Sequence, residues 1–180
     1  MHRISVDYDL SAAQVEFTDF VIVWAKDVLG ENMKKYNFYG NENADRVHAK
    51  NSSYEGIDTP LDLYDCLSKI WCENTCAPRM RQDWSRENMT LGQCSITAFL
   101  AQDIFGGEVY AVITEGGNLH CYNKVGSVVF DLTSEQFKEK AKDLKYDCLL
   151  PQDRNSADHF AKDEKRDRYE YLKSQLKMKQ

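Results

Sequence analysis

No apolar run in this chain approaches the length of a membrane span. The longest, Phe20 to Trp24, is far too short, and Glu16 and Asp19 precede it where a secretory signal would carry basic residues. Neither a membrane partner nor a signal peptide is therefore expected, and the chain is read as cytoplasmic. An excess of positive charge is also missing: the formal net charge is -6 and the pI ≈ 5.3. Phosphate-backbone binding needs a positive face to displace counterions, so nucleic acid is set aside as a partner. Internal repeats and low-complexity runs are absent too. With 42% apolar and 29% charged residues in 180 positions, the composition excludes a fibrous or wholly disordered class and allows one substantial core.

Six cysteines are present: Cys66, Cys72, Cys76, Cys94, Cys121 and Cys148. A chain this long need not rely on disulfides, and a reduced compartment makes all six thiols.

The residues 11–30 carry Val15, Phe20, Val23, Trp24 and Val28 at helical spacing between Ser11 and Gly30, which predicts an N-terminal helix. Glu31 to Asp58, rich in Asn, Gly and charge, is read as a variable arm. Thr59 and Pro60 open a helix that presents Leu61, Tyr64, Leu67 and Trp71 on one face. A loop with Pro78, Met80 and Trp84 leads to a helix from Cys94 to Phe105, apolar on most faces and stopped by Gly106 and Gly107.

Three strands follow, Glu108–Thr114, Leu119–Lys124 and Ser127–Leu132, as an antiparallel meander with turns at Gly116-Gly117 and Val125-Gly126. Thr133 and Gln136 have the spacing of a capping box and predict a short helix toward Lys142. A strand-like Tyr146 to Pro151 precedes a charged helix from Ala157 to Met178, with Phe160, Tyr169, Leu172 and Leu176 as its buried positions. The expected architecture is α+β: a central Cys-bearing helix on a small antiparallel sheet, with N- and C-terminal helices. Residues 1–58 form the helix and arm, and residues 59–180 the core domain.

The meander carries the chemistry. With a two-residue turn at Val125-Gly126, His120 falls opposite Asp131, and directly opposed residues share a sheet face with Cβ atoms about 4.5–5.5 Å apart. Cys94 at a helix N-terminus would meet this pair as a thiol nucleophile. The helix dipole and an imidazolium both favour the thiolate, His120 would move the proton, and Asp131 would orient the ring. Gly92 permits close backbone approach, and Gln93 and Trp84 are candidates for oxyanion donation and substrate positioning, beside the Cys94 N–H. Asn123, an odd number of residues from His120, faces the other way.

Other readings stand beside this one. Cys94 fits an inert core thiol, His120 a satisfied strand histidine and Asp131 a helix cap. Cys72 and Cys76 with Cys94, His120 or Cys121 could hold zinc, but no matching second pair follows, so no metal and no cofactor are expected. The charged C-terminal helix reads as a solvated surface or a homodimer contact.

The blocks LYDCLSKIWCENTCAP, Trp84, LGQCSITAFLAQDIFGGEV, HCYN and DLTSEQF, in this order and spacing, resemble the YunG-like family of uncharacterised bacterial proteins from about Leu61 to Phe137. That family brings no activity with it. The order of Cys94 on a central helix, then His120 and Asp131 on consecutive strands, is also similar to the papain-like and transglutaminase-like superfamily. That likeness implies acyl transfer at an amide, ester or thioester of a small-molecule or peptide substrate, through a thioester intermediate. Cys121 departs from the aromatic residue of the family's HCYN block. Facing away from His120, it is expected to affect packing more than chemistry. The rival to an enzyme is a non-catalytic binding module on the same scaffold.

Overall fold

The computed structural model describes residues 36–147 and 150–178. The predicted helix over residues 11–30 and the first part of the arm lie outside them, as does Cys148.

The rest of the arm belongs to the core. Phe38, Ala44, Val47, Tyr54 and Ile57 are buried in the main apolar cluster, with a 3₁₀ turn at Asn41–Arg46 between them. The compact unit accordingly begins at Tyr36. Apolar residues scattered without helical or strand period gave no sign of this.

Helix α1, Pro60–Leu67, starts as expected: Thr59 Oγ1 accepts from Asp62 N while Asp62 Oδ2 accepts from Thr59 N, and Pro60 takes the first turn. It ends four residues before Trp71, which is held instead by a turn in which its N–H donates to Leu67 O. Trp71 is fully buried and its indole Nε1 donates to Thr97 Oγ1 at 3.2 Å, tying the turn to the next helix. That helix, α2, spans Cys94–Phe105 and buries Ile96, Ala98, Phe99, Leu100, Ala101, Ile104 and Phe105. Gly106, at φ 73°, ends it.

Strands β1 (Glu108–Ile113), β2 (Leu119–Val125), β3 (Val128–Phe130) and β4 (Leu150–Pro151) form one antiparallel sheet in the order β3-β2-β1-β4. The architecture is α+β. Val109 and Cys121 face α2 and the main core, while Tyr110, Val112 and Tyr122 pack with Tyr146 on the other face. Asn123 points at α2 and donates to Ala98 O at 2.8 Å.

Two local expectations are corrected. The second turn lies at Gly126-Ser127, since Val125 pairs with Val128 and Asn123 with Phe130. One step further, Tyr122 falls opposite Asp131, so His120 and Asp131 are diagonal rather than direct neighbours. The shift is by two residues, and the shared face survives it. Strand β3 is short because Asp131 N donates to Tyr39 O at 3.0 Å.

The capping box at Thr133 does not form. Thr133 Oγ1 donates to Asp131 Oδ1, the Gln136 amide is used elsewhere, and Ser134–Asp143 is a 3₁₀ segment broken at Lys138, φ 51°. The C-terminal helix α3 spans Asp163–Met178 and buries Tyr169, Leu172 and Leu176, with Phe160 buried in the loop before it.

Truncating Trp71 to Ala empties the joint between α1 and α2 and strands the Thr97 hydroxyl. Urea unfolding of this variant is expected to show a loss of about 3–5 kcal/mol.

Candidate functional site

Cys94 is the first residue of α2 and is half-buried, at the positive end of the helix. The turn that delivers it needs glycine. Gly92 has φ +69°, and a Cβ there would lie 2.8 Å from Cys76 Sγ and 2.9 Å from Ala77 N. Gly92 O accepts from Ala77 N and from Arg168 Nη2, and Gly92 N donates to Gln136 Oε1 at 3.3 Å.

His120 is 2% exposed, and its Nε2 donates to Asp131 Oδ2 at 2.5 Å. Every other lone pair of Asp131 is also directed: Tyr146 Oη donates to Oδ2 at 2.7 Å, and Thr133 N and Oγ1 both donate to Oδ1 at 3.0 Å. This carboxylate is buried as an acceptor with four donors around it. With Nε2 committed to Asp131, Nδ1 is the nitrogen that serves Cys94. Gln136 Nε2 stands 3.4 Å from Nδ1, and the Phe137 ring meets the imidazole edge-on at 4.7 Å.

Strand pairing explains how Cys94 meets residues of both sheet faces. β3 pairs with β2 only over Asn123–Val125, so at His120 and Cys121 that edge of β2 is open. The Cys121 thiol, the His120 ring and the Cys121 main-chain N–H at that edge all act on the Cys94 sulfur. Against the cost of burial these hold the Cys94 thiol well below the usual thiol range, the Cys121 thiol first and His120 next by hydrogen bond and charge. Cys121, as donor to that sulfur and buried, is pushed well above the same range and stays a thiol. Burial alone would push His120 down, but the Asp131 carboxylate and then Cys94 outweigh it and raise the imidazole to about 10. Both shifts favour the thiolate–imidazolium form of the pair over the neutral one.

The structure thus brings Cys94, His120 and Asp131 together. Gln93 is buried, its Nε2 donates to Cys72 O at 3.3 Å, and its Oε1 has no partner among the described residues. Trp84 is braced in its own loop, its indole donating to Met89 O at 3.1 Å.

Three residues escaped the reading of the chain. Cys121 does face away from His120 along the strand, but α2 covers that face, and the thiol reaches Cys94. Gln136 accepts from Gly92 N and donates to Thr133 O, with its amide nitrogen beside the His120 ring, rather than capping a helix. Tyr146, stacked on Tyr39 with ring centroids 3.9 Å apart, supplies a donor to Asp131 that no local pattern marked.

A cavity of about 610 Å³ opens between the β1–β2 hairpin and the 3₁₀ segment, walled by Val112, Ile113, Leu144 and Phe137, the last standing between it and His120, with Lys140 and Lys145 at its rim. Its size is that of a small-ligand pocket. Among the described residues no group of three or more His, Cys, Asp or Glu could hold a metal ion. No helix among them is long and apolar enough to cross a membrane.

The ion pair has a pH signature. A thiol lowered by an imidazolium stays reactive well below the pH at which an ordinary thiol protonates, near 8.5. Alkylation by iodoacetamide, resolved by peptide mass spectrometry, is expected to modify Cys94 at mildly acidic pH where an ordinary thiol is silent. His120→Ala is expected to move the Cys94 profile toward the ordinary thiol range.

Comparison with known proteins agrees on one family. The family model described as YunG protein matches residues 59–180. The "Uncharacterized protein YunG" of Bacillus subtilis (strain 168) is 42% identical over 55 residues, covering 31% of this chain and 47% of that protein. The chain thus spans about half the length of the curated relative it matches. No solved structure matches the chain. The match to the family covers α1, the Cys94 turn, α2, the sheet and α3, and the chain belongs to the YunG family.

Proposed function

We propose that the protein is a cysteine-dependent hydrolase or acyltransferase acting on an amide, ester or thioester. The observation that carries this reading is the chain of contacts from Cys94 through His120 to a fully satisfied, buried Asp131. The order of cysteine on a helix, then histidine and aspartate on consecutive strands, supports a papain-like or transglutaminase-like relationship as part of the same reading. Free thiols at all five described cysteines suit a cytoplasmic setting.

In this mechanism the Cys94 thiolate attacks the acyl carbon, and the carbonyl oxygen becomes an oxyanion. The Cys94 main-chain N–H, at the start of α2, is positioned by the Gly92 turn to receive it. His120 carries the proton that leaves with the departing group, so collapse of the tetrahedral species gives an acyl–Cys94 thioester and a neutral leaving group. Neutral His120 then takes a proton from water or an acceptor as it attacks the thioester, and the thiolate–imidazolium pair is restored. Asp131 keeps Nε2 protonated throughout, so the ring always presents Nδ1 to the sulfur.

Incubation with activated aryl esters and thioesters is expected to give an acyl adduct on Cys94 by intact-mass and peptide analysis, with release of the leaving group. Cys94→Ala should abolish the adduct, and His120→Ala should slow acylation by about 10²-fold or more. A native protein that alkylates at Cys94 yet forms no acyl adduct with any ester or thioester would favour a binding module on this scaffold.

A further inference from the structure

The C-terminal segment brings a second charged group to the Cys94 turn. Arg168 of α3 is buried there, its Nε donating to Thr75 O at 3.1 Å, its Nη2 to Gly92 O at 3.2 Å and its Nη1 to Glu164 Oε1 at 2.7 Å. These bonds fix one face of α3 against the backbone two residues before the nucleophile. Lys165 lies three residues earlier on that same face.

The Lys165 ammonium is half-buried and already oriented. Its Nζ donates to Asp158 O at 2.5 Å and lies 3.5 Å from His159 Nδ1. His159 is 2% exposed, edge-on to Phe99 of α2 at 4.9 Å, with Nε2 2.9 Å from Gln152 Oε1. An amide oxygen only accepts, so Nε2 carries the proton and Nδ1 is a lone pair that accepts from Lys165. Burial, with the Lys165 charge, pushes His159 down to about 4, in keeping with that neutral form. Two of the three ammonium donors are thus occupied. The third has no partner, and the cation no carboxylate, among the described residues. Burial lowers Lys165, and the Cys94 sulfur is near enough for its charge to oppose this.

We propose that Lys165 is a specificity-determining residue of the Cys94 site, its unfilled N–H recognising a carboxylate on the substrate near the reacting carbonyl. This inference rests on the nucleophile reading above and names its substrate class: acyl compounds that carry a negative charge next to the scissile bond. A cation held by a carbonyl and a neutral imidazole loses little freedom on binding an anion, and a half-buried site screens the attraction less than open water does.

The test compares two alkylating agents of one size, iodoacetate and iodoacetamide, on Cys94 of the full chain. The rate ratio of the anionic to the neutral reagent is measured for the native protein, Lys165→Met and Lys165→Arg. The native ratio is expected to exceed that of Lys165→Met by about fivefold or more, the scale of one partly screened charge pair, and Lys165→Arg should keep most of it. The native ratio should also fall as salt is raised, a result that needs no variant to fold. A ratio unchanged by both the substitution and salt, while Cys94 still reacts readily with iodoacetamide, overturns the proposal alone. Equal slowing of both reagents in Lys165→Met also overturns it, assigning Lys165 to the thiolate instead. Cys94 inert to both reagents removes the nucleophile reading and this inference with it.

Discussion

A carboxylate buried in a fold constrains everything around it, and here Asp131 is that constraint. At 1% exposure it accepts from His120, Tyr146 and twice from Thr133, and each donor comes from a different demand on the chain. Tyr146 must return to the sheet after the 3₁₀ segment, Thr133 must forgo its capping role, and β3 must end early so that Asp131 can also bond Tyr39. The ending of β3 in turn leaves the β2 edge open at His120 and Cys121, the two residues that lower the Cys94 thiol. Removing one donor would leave the others to carry a desolvated charge.

The same dependence fixes the protonation states. An imidazole as deeply buried as His120 would ordinarily be neutral; the Asp131 charge opposes this, and the Cys121 thiol first and His120 next lower the Cys94 thiol. The sign of the linkage follows. His120, raised above its unfolded value near 6.5, contributes stability in full below that pH, and the contribution is lost as pH rises through about 10. Arg168 and Gln136 act on the other side of the sulfur, both bonding the backbone of Gly92, so the turn that presents Cys94 is held from α3 and from the 3₁₀ segment together.

Much of this was legible where one residue type answers one local requirement. Thr59 and Pro60 announced α1, the apolar run after Cys94 announced a buried helix, and the alternation through Leu119–Val125 put His120 and Asp131 on one face despite a turn placed one residue early. Parity is robust to a shift of two, which is why the pair survived. The rest was hidden because it depends on contacts between distant segments. Nothing near Phe38 or Ile57 signals that their segment enters the core. Gln136 looks like a cap because its distant partner, Gly92, lies 44 residues away. Cys121 was set aside by strand alternation, which is silent about a helix terminus that reaches both faces at an open edge. The family match over residues 59–180 leaves residues 36–58 outside it, although they share the core.

The account turns on a charged imidazole at neutral pH. Nitrogen-resolved NMR of the full chain with labelled histidine, titrated from mildly acid to alkaline pH, reads the protonation of His120 directly. The account predicts that both His120 nitrogens carry protons at pH 7 and that the ring gives one up near pH 10. A His120 that titrates near 6.5 like a free imidazole, unaffected by Cys94→Ala, would contradict it.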